Sequence, residues 1–120
     1  MIKLLLPMLL LMSFNAFSEC YEQITQNGSY SSRVFKLEAD EFSEYDKLTP
    51  KVAAQLVDTL LRRETSCYFE KVGGSLKDIS CTKMPRSGTT CEVPTSLGYF
   101  IVHRNSYGSF DHSIMYTRWD

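Results

Sequence analysis

Between Thr49 and Arg63 apolar residues recur at helical spacing. Val52, Ala53, Leu56, Val57, Leu60 and Leu61 share one side, while Lys51, Gln55, Asp58 and Arg62 take the other. Thr49 suits the N-cap, where its hydroxyl can accept from a free backbone N–H, and Pro50 suits the first helical position, which needs no N–H. The pattern predicts one main helix at about 49–63, with an apolar face wide enough to demand a large apolar surface beneath it. Beyond Arg63 the period falls to two. Runs at Cys67–Val72, Leu76–Lys83, Thr89–Val93, Tyr99–Arg104 and Phe110–Arg118 are separated by short Gly, Pro, Asn or Ser clusters, and predict strands. Connections this short predict an antiparallel meander. Upstream, Ser32–Leu37 predicts a further strand, and Cys20–Gln26 fits either a strand turned by Asn27-Gly28 or a short helix stopped by it.

The last hairpin carries its own register. Centring the turn between Tyr107 and Gly108 opposes Arg104 with Asp111, His103 with His112, Ile101 with Ile114 and Tyr99 with Tyr116. Each such pair contributes only about 0.2–1 kcal/mol, so the register rests on the agreement of all of them. The whole is an α+β fold: one main helix packed on an antiparallel meander of about four to six strands. The element order is similar to that of cystatin-like folds. The chain lacks a Gln-x-Val-x-Gly loop where a cystatin would carry one, so protease inhibition does not follow from that likeness.

Residues 1–18 change the setting of this domain. Lys3 precedes an apolar run, Leu4–Met12, and Ala16-Phe17-Ser18 puts small residues at the minus-three and minus-one positions of a cleavage site. This predicts a secretory signal peptide over 1–18 and a single domain over 19–120, destined for the periplasm or the exterior. The apolar run is shorter than the roughly 20 residues that span a bilayer, so no stable membrane insertion is expected. Phe17-Ser18-Glu19 before Cys20 does not fit a lipid-modified cysteine.

Export makes disulfides the expected state of Cys20, Cys67, Cys81 and Cys91. A hairpin centred near Arg86 sets Cys81 directly opposite Cys91, where Cα atoms lie about 4.5 to 5.5 Å apart and a disulfide can form. A turn at Gly73-Gly74 would instead pair Cys67 with Ser80 and leave Cys81 on the other face, so Cys20 falls to Cys67. The bridges give a disulfide-stabilised domain. A zinc site is disfavoured by the lack of any Cys-x-x-Cys pair, and no metal or other cofactor is expected.

Charge narrows the partner. Removing 1–18 takes away only Lys3 of the 13 basic side chains and none of the 14 acidic ones, leaving a net charge of about −2. That balance disfavours a nucleic-acid binder, which would carry a basic stripe. Acids concentrate in Glu38-Ala39-Asp40-Glu41-Phe42-Ser43-Glu44-Tyr45-Asp46, where Phe42 and Tyr45 sit among carboxylates. Asp40, Glu41, Phe42, Glu44, Tyr45 and Asp46 are therefore candidates for docking a cationic protein: charge speeds encounter and aromatics anchor it. A helical approach with Ala39, Phe42 and Leu48 turned inward is the competing, purely structural reading, and calcium is disfavoured because no EF-hand spacing is present.

His103 and His112, brought together by the hairpin register, form a second candidate as an acid–base or metal-ligating pair. The pair lacks a third ligand, and Arg104 points to the opposite side of its strand. There is no Gly-x-Ser-x-Gly elbow, His-Glu-x-x-His or phosphate-cradling glycine loop, so no catalytic residues are assigned and the chain is not expected to be an enzyme. Trp119 is expected to be the last core residue of its strand, and Arg62-Arg63 to favour the helix C-terminal dipole.

In its signal, size, cysteines and acidic-aromatic segment, the chain resembles small bacterial periplasmic immunity and inhibitor proteins. The resemblance implies a protein-binding module that blocks a hydrolase or toxin, with no cofactor. A small secreted hydrolase or nuclease using the histidine pair, and an envelope assembly or ligand-carrier protein, are the alternatives.

Overall fold

A computed structural model describes residues 18–119 of the 120-residue chain. The signal-peptide expectation for 1–18 therefore lies, save for Ser18, outside the described residues. The ambiguous segment is a helix, α1 (18–25), which buries Cys20, Ile24 and Thr25. It ends because Gln26, Asn27 and Gly28 all adopt positive φ (52°, 60° and 79°). The chain then enters β1 (Ser32–Lys36). A single-turn helix, α2 (Ala39–Phe42), follows, closed by a capping box in which the Glu38 backbone N–H donates to Glu41 Oε1 at 2.6 Å.

The main helix, α3, runs Pro50–Glu64 as expected, with Thr49 Oγ1 accepting from the Val52 N–H at 3.2 Å. Its buried residues are Ala53, Ala54, Leu56, Val57, Leu60 and Leu61. Ala54 replaces Val52 on the inner face, and Val52 packs only at the margin. A 3-10 turn (Leu76–Asp78) precedes four strands: β2 (Ser80–Met84), β3 (Gly88–Pro94), β4 (Tyr99–Arg104) and β5 (Phe110–Thr117).

The sheet order is β1-β5-β4-β3-β2, antiparallel throughout. The four C-terminal strands are a meander, and β1 adds to its far edge. Among the described residues, only one face of the sheet is covered. Phe35, Cys91, Val93, Phe100, Val102, Ile114 and Tyr116 point towards α1 and α3 and form the core with the helical leucines. Cys20 is bonded to Cys67 and Cys81 to Cys91, both as expected.

Two expected features are absent, each for a local reason. Cys67–Val72 is not a strand but a series of turns. The Asp58 carboxylate on α3 accepts the Phe69 N–H through Oδ1 at 2.8 Å while holding Arg62 Nε through Oδ2, also at 2.8 Å. The Val72 and Gly74 N–H groups donate to the Tyr68 and Phe69 carbonyls at 3.2 and 2.9 Å, so the segment's backbone is satisfied by turns and by the helix instead of by a neighbour strand. The β4–β5 register also differs. Tyr99 opposes Thr117, Ile101 opposes Met115 and Val102 opposes Ile114, whereas Arg104 opposes Phe110. Between Val102 and Arg104 the ladder bulges, with Asp111, His112 and Ser113 set against His103 alone. The connection is a longer loop in which the Asn105 side-chain oxygen accepts the N–H groups of Tyr107 and Ser109 at 3.0 and 3.1 Å.

Candidate functional site

The acidic-aromatic segment divides into a structural part and a free part. Glu41 is structural, because its Oε1 also receives Arg63 Nη1 at 2.5 Å, and Arg63 Nη2 donates to the Lys36 carbonyl at 2.9 Å. Arg63 thus ties α2 and the end of β1 to α3, a more specific task than complementing the helix dipole. Phe42 packs on the edge of the core, its ring 6.5 Å from Phe110 and 4.9 Å from the His112 ring. Tyr45 is half-buried against the same core, and its hydroxyl pKa is raised, first by burial and then by its hydrogen bond to Glu44. Asp40, Glu44 and Asp46 remain exposed, and none of them has an ion-pair partner among the described residues.

These side chains stand at the rim of two hollows. On one side of Tyr45 an open groove of about 590 Å³ runs between α3 and the turns after it, walled by Ala54, Gln55, Asp58, Phe69 and Leu76. Leu76 leaves half of its surface in solvent there. On the other side a cleft of about 250 Å³ lies between Phe42, Tyr45, Phe110 and His112. The groove is not readable in the sequence, since its far wall is a run of turns that the Asp58–Phe69 hydrogen bond ties to α3.

The histidines do not meet. His103 lies on the uncovered face, where its Nδ1 is 2.8 Å from Thr90 Oγ1 on the neighbouring strand. His112 lies on the helix side beside Phe42. A one-residue change of register exchanges strand faces: the loop sets Arg104 opposite Phe110 instead of Asp111, and beyond the bulge Ile101 opposes Met115 instead of Ile114, an odd offset on both sides of it. The face-to-face pair is therefore corrected, and with it the shared acid–base or metal site. Among the described residues no group of three or more His, Cys, Asp or Glu is arranged to hold a metal ion. No described helix is long and apolar enough to cross a membrane.

The arrangement can therefore hold a protein surface by charge and aromatic contact, with three exposed carboxylates, two rings packed on the edge of the core and a groove in one stretch of surface. No protein-family model, curated protein or solved structure matches the chain, so this geometry carries the functional reading.

Proposed function

We propose that the chain is a small exported binding module that inhibits a basic partner protein, a hydrolase or toxin, by docking residues 40–46 and the adjoining groove on it. The carrying observation is that Asp40, Glu44 and Asp46 are exposed and have no ion-pair partner among the described residues, while Phe42 and Tyr45 between them are held by the core. Rigid aromatics lose little entropy on contact, and unpaired carboxylates accelerate encounter with a cationic surface. The two disulfides are compatible with an oxidising compartment, periplasmic or extracellular. The separation of His103 and His112 gives no support to the hydrolase alternative.

The test is capture from envelope and secreted fractions on the oxidised protein, followed by assay of the captured partner. Recovery of a basic hydrolase or toxin whose activity falls on stoichiometric addition is expected. The combined substitution Asp40→Asn, Glu44→Gln and Asp46→Asn should slow association about tenfold at low salt and flatten its salt dependence, with an unchanged circular dichroism spectrum. An association rate indifferent to both salt and the substitutions would remove this surface from the function.

A further inference from the structure

The uncovered face of the sheet holds a second, differently built site. Tyr99 at the start of β4, Pro94 at the end of β3 and Trp119 after β5 wall a pocket of about 160 Å³, and Asp78, Ser80 and Glu92 complete it. The Pro94–Tyr99 and Ser80–Glu92 cross-strand pairs place four of these residues on one face. Trp119 does not end in the core as its position suggests; it is 51% exposed. Its indole N–H nonetheless donates to the Thr95 carbonyl at 2.7 Å, and its ring stands 5.2 Å from that of Tyr99 at 43°. The large apolar ring is thus fixed in place by its own polar atom and still open to solvent. Neither Asp78 nor Glu92 has an ion-pair partner among the described residues.

Fixed aromatic faces beside unpaired carboxylates are the chemistry that recognises an organic cation, since the ring quadrupole and the carboxylates attract the same charge. We propose that this pocket receives the guanidinium of an arginine presented by another protein. A guanidinium is flat enough to lie on the Trp119 or Tyr99 ring. Its several N–H donors can reach carboxylates that come from separate elements, the 3-10 turn and β3. A compact, strongly hydrated ammonium satisfies the second requirement but not the first. The site lies on the opposite side of the sheet from residues 40–46 and stands whether or not that segment docks a partner.

Trp119 is the only tryptophan of the chain, so its fluorescence reports on this pocket alone. The full exported protein is titrated with the blocked tripeptide acetyl-Gly-Arg-Gly-amide and with its lysine and citrulline counterparts. A saturable change with the arginine peptide in the millimolar range is expected, weakened at least about fivefold with lysine and absent with citrulline. Asp78→Asn and Glu92→Gln should each weaken the arginine response about fivefold, while Asp40→Asn with Glu44→Gln should leave it unchanged. Near-ultraviolet circular dichroism checks that the Trp119–Tyr99 pair is intact in each variant. An equal response to citrulline, an unaltered response in the intact Asp78→Asn/Glu92→Gln protein, or no response from the unsubstituted protein overturns the proposal. Equal affinity for lysine overturns the choice of guanidinium.

Discussion

Tyr116 shows how much one buried hydroxyl can decide. It lies fully buried on β5, with its ring 5.1 Å from Phe100 and its O–H donating to the Leu97 carbonyl at 2.5 Å. Burial pushes its pKa up to about 12, reinforced by the nearby Tyr21 and opposed by Arg118. A raised folded-state value means that the protein holds this proton more tightly than the unfolded chain does. Its contribution to stability is then complete below about pH 10, the ordinary tyrosine value, and is lost as pH rises towards 12. Tyr116→Phe should cost about 1–3 kcal/mol at neutral pH, because the Leu97 carbonyl is left buried without its partner. The same variant should lose stability less steeply than the unsubstituted protein between pH 10 and 12. Urea unfolding across that range measures both effects, and parallel curves for the two proteins would place the alkaline transition on another group.

The two bridges differ in the elements they join. Cys20–Cys67 fastens α1 to the turn after α3 across 47 residues of sequence, whereas Cys81–Cys91 spans only 10 and staples β2 to β3, already neighbours in a hairpin. The chain-entropy account gives about 4 kcal/mol for the longer loop and about 3 for the shorter. Replacing Cys20 and Cys67 by Ser should therefore destabilise the domain by about 1 kcal/mol more than replacing Cys81 and Cys91, as read by chemical denaturation. The reverse order would locate the stabilisation in the folded hairpin.

Elements whose cause is local are legible in the sequence alone. Thr49 and Pro50 announce α3, turn residues delimit β3 and β4, and the hairpin arithmetic places Cys81 opposite Cys91. What escapes depends on distant partners. Cys67–Val72 has a strand's composition, but its own turns and one helix carboxylate take up its backbone, and the β4–β5 register follows a bulge and an Asn105-centred loop that no single cross-strand pair announces. The candidate site divides in the same way. The acidic-aromatic run is visible as a run, yet nothing in it marks Glu41 as the partner of Arg63, 22 positions away, or Trp119 as the exposed wall of a pocket.

Across the whole molecule, protection follows the layering. β4 has hydrogen-bonded neighbours on both sides and contributes Phe100 and Val102 to the core, whereas β2 is an edge and α2 is a single turn with no buried residue. Native-state hydrogen exchange should release α2 and β2 first and β4 last. Early exchange in β4 would mean that the sheet opens without the helices. The same layering leaves Val34 and Met115 exposed on the bare face, 64% and 43%, so the sheet presents two unlike surfaces.

The seat of β1 has a consequence in time. Among the described residues its only sheet neighbour is β5, so the earliest strand of this sheet has no edge to join until the last one has been laid down against β4. A chain that emerges from its N-terminus onwards must therefore carry β1 unpaired until β5 is out, and losing the residues from Phe110 onwards would unseat β1 as well. Completion of this domain is a single late event, set by the arrival of Phe110–Thr117.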